Sequence, residues 1–187
     1  MSITLSSRAR VLAVALLAVA LAAGWLLRPA PAESSGEQAV AAAAIPTSQR
    51  AGTLRLSGIS TAVLPIRSFS ITASKASAAS KATFGDAKVA TSATGVSPAI
   101  LRAVATGTHL PKVTVVLYHP GTTTRFQQWE LADATFSLSS TAKSGNGGET
   151  NQSLAITYSR FTQRVYAANG TTQVGQVCFD VAANVAC

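Results

Sequence analysis

The sequence predicts a mainly β fold: an antiparallel β-barrel or two-sheet sandwich with one packed α-helix. Three observations carry this. Short segments of alternating apolar and polar residues recur from about Thr53 to Val181, and Gly, Pro and Asn-Gly signals separate them. Only one stretch, Ser97 to Gly107, has helical spacing together with its own start and stop. Runs of strands around a single helix fit a barrel or a sandwich, not a doubly wound sheet.

The helix and the strands after it are the clearest part. Ser97 is read as the N-cap, Pro98 as a first-turn residue and Gly107 as the left-handed residue after the last turn. Ile100, Leu101 and Val104 are spaced to form one apolar stripe, and Pro111 forbids helix continuation. Lys112 to His119 is rich in β-branched and aromatic residues and reads as a strand, broken by Pro120-Gly121. After a loop at Pro120 to Thr124, Phe126 to Ser140 alternates through Trp129, Leu131, Ala134, Phe136 and Leu138, with a phase slip near Glu130.

The remaining strands follow the same logic. Thr53 to Ser57 places Leu54 and Leu56 on one face, and Gly58 ends it. Val63 to Ala73 alternates with one phase slip, and Pro65 suggests an edge position at its start. Lys75 to Ala82 is a small-residue loop. Thr83 to Ser92 is read as one strand anchored by Phe84 and Val89, with a bulge at Gly85-Asp86. Lys143 to Glu149 is a flexible turn that lacks the Gly-Lys-Ser/Thr of a phosphate-binding loop. Asn151 to Tyr166 reads as one long strand, Asn169-Gly170 as a hairpin turn, and Gln173 to Val181 as the closing strand.

The N-terminal part has a different character. Arg8 and Arg10 precede an uncharged run from Val11 to Leu27, and Ala30-Pro31-Ala32 offers small residues for a signal peptidase. Residues 1–32 therefore read as a secretory signal peptide. The alternative is an uncleaved anchor, since residues 11–27 lie at the lower limit of bilayer-spanning length, roughly 17 residues. Either way the domain is placed outside the cytoplasm. Residues 33–52, with Ser-Ser-Gly and the alanine run Ala41 to Ala44, read as a disordered linker, and 53–187 as the folded domain.

Composition narrows the function classes. Net charge is +8 for 187 residues, of which only 12% are charged. Without Arg8, Arg10 and Arg28, the chain from Glu33 carries 12 basic and 7 acidic residues, a net +5. These basic residues are scattered singly, without the clustered patch and interleaved aromatics of a nucleic-acid surface. His109 and His119 are the only histidines, too few for a three- or four-ligand zinc site unless cysteines and carboxylates join them. Asp86, Glu130, Asp133, Glu149 and Asp180 fall mostly in different elements, so no acid–base pair is implied, and no Gly-x-Ser-x-Gly elbow is present. No catalytic, cofactor or metal residue is assigned. Asn151-Gln-Ser153 and Asn169-Gly-Thr171 match glycosylation acceptors but read as ordinary strand and turn residues. Cys178 and Cys187 are the only cysteines, and an even count in an exported chain favours a disulfide between them. The residues Ala182 to Asn184 could reverse the chain between them.

The run Ser97-Pro-Ala-Ile-Leu-Arg-Ala-Val-Ala-Thr-Gly-Thr-His-Leu-Pro-Lys-Val-Thr-Val115, followed by Trp129-Glu-Leu-Ala-Asp-Ala134 and Ser153-Leu-Ala-Ile-Thr-Tyr-Ser159, resembles the helix-then-strand core of the Hcp family, the tube-forming proteins of bacterial type VI secretion. The resemblance runs from about Leu54 to Val181. It implies a barrel with a packed helix, no enzymatic activity, and a homo-oligomer in which six copies close into a ring that can stack into a tube. Secretion-apparatus or effector proteins are the further partners it implies. Three features depart from the family pattern: the export signal, the disulfide, and a connection from Gly58 to Ala62 shorter than the family's usual loop. The shortened loop bears on ring stacking. A monomeric extracellular binding module on the same fold is the competing expectation.

Overall fold

A computed structural model describes residues 49–143 and 150–187. The signal or anchor at residues 1–32, most of the linker, and the turn at 144–149 lie outside the described residues. Among these residues, eleven strands and one helix follow in the order β1 (Gly52–Leu56), β2 (Val63–Ser70), β3 (Ala73–Ser74), β4 (Thr83–Phe84), β5 (Ala87–Ser92), α1 (Ser97–Thr106), β6 (Leu110–Tyr118), β7 (Arg125–Lys143), β8 (Thr150–Thr157), β9 (Arg160–Tyr166), β10 (Gln173–Asp180) and β11 (Val185–Ala186).

Six strands close on themselves. β1 lies between β2 and β6, β2 pairs with β5, β5 with β8, β8 with β7, and β7 with β6, every pair antiparallel. The chain is a mainly β protein built on a closed antiparallel barrel with one packed helix. Alternation along the strands turns Leu54, Leu56, Ile66, Val113, Val115, Leu131, Leu154 and Ile156 inward, and all are buried. Burying one such side chain fully stabilises by roughly 1.5–3 kcal/mol, so this layer dominates the driving force.

The helix connects β5 to β6 and packs against β7. Its C-terminus is as the sequence indicates: Gly107 adopts φ 61°, and its N–H reaches the carbonyls of Ala103 and Val104. Its N-terminus differs. The N-cap is Val96, which makes no side-chain cap bond, and Ser97 is the first helical residue. The Ser97 hydroxyl accepts from the Thr94 N–H (2.9 Å) and donates to Gln152 Oε1 (2.8 Å). The buried face also differs from the expected stripe. Ile100 and Ala103 are buried and Val104 partly so, whereas Leu101 is 60% exposed.

Three strand expectations are corrected. Thr83 to Ser92 is two strands, because Gly85-Asp86 is a change of partner and not a bulge: β4 pairs with β3, and β5 with β2 and β8. Val63 to Ala73 ends at Ser70, and its phase slip is a register shift between Ile66 and Ser68, centred on Arg67. Pro65 lies, as expected, where the start of β2 is open on one side. There β2 pairs with β1 alone, and β5 joins on the other side only from Ile66 onward, one residue past the proline. Asn151 to Tyr166 is interrupted at Tyr158-Ser159, giving β8 and β9.

An aromatic cluster joins the barrel to the strands beyond it. Trp129 lies between Phe69 (5.6 Å between ring centroids) and Phe161 (5.7 Å). Phe84 sits against both Phe161 (5.2 Å) and Phe179 (4.9 Å), so the β3–β4 hairpin holds the β9–β10 extension to the core. Offset and tilted aromatic pairs of this kind add about 0.5–1.5 kcal/mol each beyond their burial.

Candidate assembly surface

The surface available for assembly is set by one long hairpin. β7 pairs antiparallel first with β8, from Lys143↔Thr150 to Thr135↔Thr157 with a register shift between Leu138 and Phe136, and then with β9, from Ala132↔Arg160 to Gln127↔Val165. Between these halves the hairpin bends at Asp133, which adopts φ 48°. Asp133 Oδ2 accepts from the Ser159 hydroxyl (3.1 Å), and the Ser159 N–H donates to the Ala132 carbonyl (3.2 Å). The phase change read near Glu130 therefore sits three residues later, between the inward-facing Leu131 and Ala134.

The bend divides the outer edges of the hairpin. β6 covers β7 only as far as Ala134. From Thr135 to Lys143, β7 has β8 on one side and, among the described residues, no strand on the other. At the opposite end β10 pairs with β9, while β11 reaches only Phe179 and Asp180. At Cys178 the carbonyl still accepts from the Cys187 N–H (3.3 Å), so the edge of β10 is open from Gln173 to Val177 among the described residues. Val174 and Val177 on this strand and Val185 on β11 are exposed, as is Leu138 on β7. Open edges carry unpaired N–H and C=O groups and are a template for pairing with another chain.

Side-chain bonds link the flanking strands. On the polar face of β7, Arg125 Nη1 donates to Gln128 Oε1 (3.1 Å) and Gln128 Nε2 to Glu130 Oε1 (2.9 Å), while Arg164 pairs with the same carboxylate at 2.8 Å. Arg164 Nε continues the ladder to Gln176 Oε1 (3.3 Å). The Arg125 guanidinium also stacks 3.6 Å from the centre of the Tyr166 ring, and its Nε donates to the Gly170 carbonyl. Burial disfavours the charged form of Glu130, but the bond and charge of Arg164, with help from Gln128 and Lys112, outweigh it and hold this carboxyl below its usual value. Tyr158 is shifted the other way: burial and the nearby Asp86 charge push its phenol up to about 12, and its hydroxyl donates to the Gly85 carbonyl. Under the helix, Gln152 is buried and satisfied, donating to Ser139 Oγ (3.1 Å) and accepting from Ser97.

The residues singled out in the sequence are dispersed. His109 lies in the turn between α1 and β6, and His119 follows β6 with its ring 5.2 Å from Phe126. Asp86 accepts from Ser137 and Thr157, and Asp180 pairs with Arg160 at 3.1 Å. Asn169 caps its own turn, its Oδ1 accepting from the N–H groups of Thr171 and Thr172. Cys178 and Cys187 are joined, with Cα atoms 5.3 Å apart, across a turn in which Asn184 adopts φ 59° and donates to the Ala82 carbonyl. Among the described residues, no group of three His, Cys, Asp or Glu side chains converges, and no helix is long and apolar enough to cross a membrane.

A family model described as "Type VI secretion system effector, Hcp" matches residues 46–165. The chain belongs to the Hcp family. Solved structures have the same fold as this Hcp protein. Hcp1 from Salmonella typhimurium superposes with a TM-score of 0.63 at 15% identity, over 73% of this chain and 97% of that one. A type six secretion system protein gives 0.64 at 14% identity, over 74% and 99%. A type VI secretion system effector from Yersinia pestis gives 0.59 at 15% identity, over 70% and 99%. No curated protein sequence matches. The family match ends within β9, so β10, β11 and both cysteines of this Hcp protein lie beyond it.

Sequence reasoning missed Asp133 and Gln152. A left-handed aspartate carries no glycine signal, and Gln152 looks like any strand glutamine until the helix is laid over it.

Proposed function

We propose that this Hcp protein is an exported structural subunit that closes into a ring of six copies, acting as a tube component or effector carrier of type VI secretion. The observation that carries the reading is the Hcp match over residues 46–165, laid on a closed barrel that leaves two different strand edges open. A ring needs a head-to-tail contact between unlike surfaces, and closure at a fixed rotation then terminates growth. The β10 edge and the outer half of β7 are unlike surfaces on one subunit. The N-terminal segment, read as a signal or anchor, places assembly outside the cytoplasm, where the Cys178–Cys187 disulfide would form.

Light scattering on a chain beginning at Glu33, across a range of protein concentrations, tests the ring. A mass of six subunits is expected. A strictly monomeric mass at high concentration would overturn the ring and favour a monomeric extracellular binding module.

A further inference from the structure

The chain enters the barrel at a fixed point. Gly52, the first residue of β1, is held against the Val116 carbonyl, where a Cβ would have no room. Ala51 carries the pairing one residue further. Its N–H donates to the Ile66 carbonyl (2.8 Å), and its carbonyl accepts from the Tyr118 N–H (3.0 Å). Upstream of it, Gln49 and Arg50 line a cleft of about 560 Å³ between β2 and β6.

Much of the lining is apolar: Phe69, Leu117, Pro120 and Phe126. Phe126 is 38% exposed, and Pro120 is exposed beside it. Phe69 rests on Trp129 and Phe126 on His119, with ring centroids 5.6 and 5.2 Å apart, so this surface is preformed. Arg50 and Arg67 also line the cleft, but both are already engaged. What remains to be covered is therefore the apolar part.

We propose that Ile45-Pro46, in the chain's own N-terminal segment, docks on this apolar surface. Ile45 stands four residues before Gln49, a reach of at most about 14 Å, and Gln49 itself lines the cleft. From Ala39 to Ser48, only Val40, Ile45 and Pro46 are apolar and larger than alanine, and Ile45-Pro46 is the pair closest in sequence to the cleft. The sequence from Gln38 to Gln49 is uncharged, which suits an apolar surface. A residue before proline is restricted to extended conformations, so docking this pair loses little freedom. Extended proline-containing segments fit aromatic-lined grooves for that reason. The docking is within one chain and does not rest on ring assembly.

The test is limited elastase digestion of the full chain, with cleavage after Ala41 to Ala44 followed by mass spectrometry. Cleavage requires the segment to leave the surface. Rates are taken relative to a free peptide of residues 33–50 with the same residue 45. Phe126→Ser and Ile45→Asp should each speed cleavage at least tenfold. Circular dichroism and thermal melts confirm that the variants fold. Ile45 precedes the first strand, so its variant carries the test if Phe126→Ser unfolds. Rates within twofold of wild type in the folded variants, or wild-type cleavage as fast as that of the free peptide, would overturn the docking. Wild-type cleavage that accelerates on dilution, in step with loss of oligomeric mass, would assign the surface to a second copy and also overturn it.

Discussion

Asp133 is the residue on which the long hairpin turns, and substitutions there separate backbone conformation from side-chain bonding. A non-glycine residue at positive φ costs roughly 1–2 kcal/mol; Asp and Asn tolerate the region better than most, and β-branched residues tolerate it worst. Asp133→Val therefore incurs about 1–2 kcal/mol of backbone strain at φ 48°. It also loses the bond from the Ser159 hydroxyl, worth about 1 kcal/mol net. The expected loss is about 2–3 kcal/mol, or roughly 6–12 °C in Tm for a domain of this size. Asp133→Gly loses the same bond but relieves the conformation, so it should lie within about 1 kcal/mol of wild type. Urea denaturation followed by tryptophan fluorescence and circular dichroism measures both. If valine proves as stable as glycine to within about 0.5 kcal/mol, backbone conformation is not what shapes the bend, and the reasoning fails.

Three further outcomes are expected. Replacing Cys178 and Cys187 together by Ser should lower stability by about 2–3 kcal/mol on the chain-entropy account while leaving oligomeric mass unchanged. Mass spectrometry of non-reduced exported protein, with two alkylatable thiols as the contrary result, decides whether the bond forms at all. Because the folded-state pKa of Glu130 is depressed, its contribution to stability is present above the unfolded carboxylate value of 4.5 and is lost as pH falls through the lower folded value. Wild type should therefore lose stability more steeply than Glu130→Gln over that acid range in denaturation measured at stepped pH, and parallel curves would contradict the assignment. Tyr158 is shifted upward, so its contribution is complete below the unfolded value of 10.0 and declines as pH rises towards about 12. Tyr158→Phe should flatten that alkaline decline, and an unchanged slope would show that the phenol is not the group responsible.

The fold class was legible because it rests on period and punctuation, which are local. Leu54 and Leu56, or Val113 and Val115, alternate in the sequence and face the core in the structure. Gly107 ends the helix where a residue of positive φ is needed. Where the sequence misled, a distant partner decided. Leu101 matches the helix stripe, yet the side of α1 that meets the core is that of Ile100 and Ala103. Ser97 looks like a cap, but its hydroxyl is drawn to Gln152, 55 residues away. The break at Tyr158-Ser159 faces the Asp133 bend across the hairpin, and neither strand signals it alone. The open edges of β7 and β10 follow from sheet order, which no single segment encodes.

Imaging of the exported protein tests the central claim most directly. Negative-stain electron microscopy of chain recovered from outside the cytoplasm should show closed rings with six subunits around an open centre. A field of single compact particles at concentrations well above micromolar, from protein whose barrel is intact by circular dichroism, would contradict it.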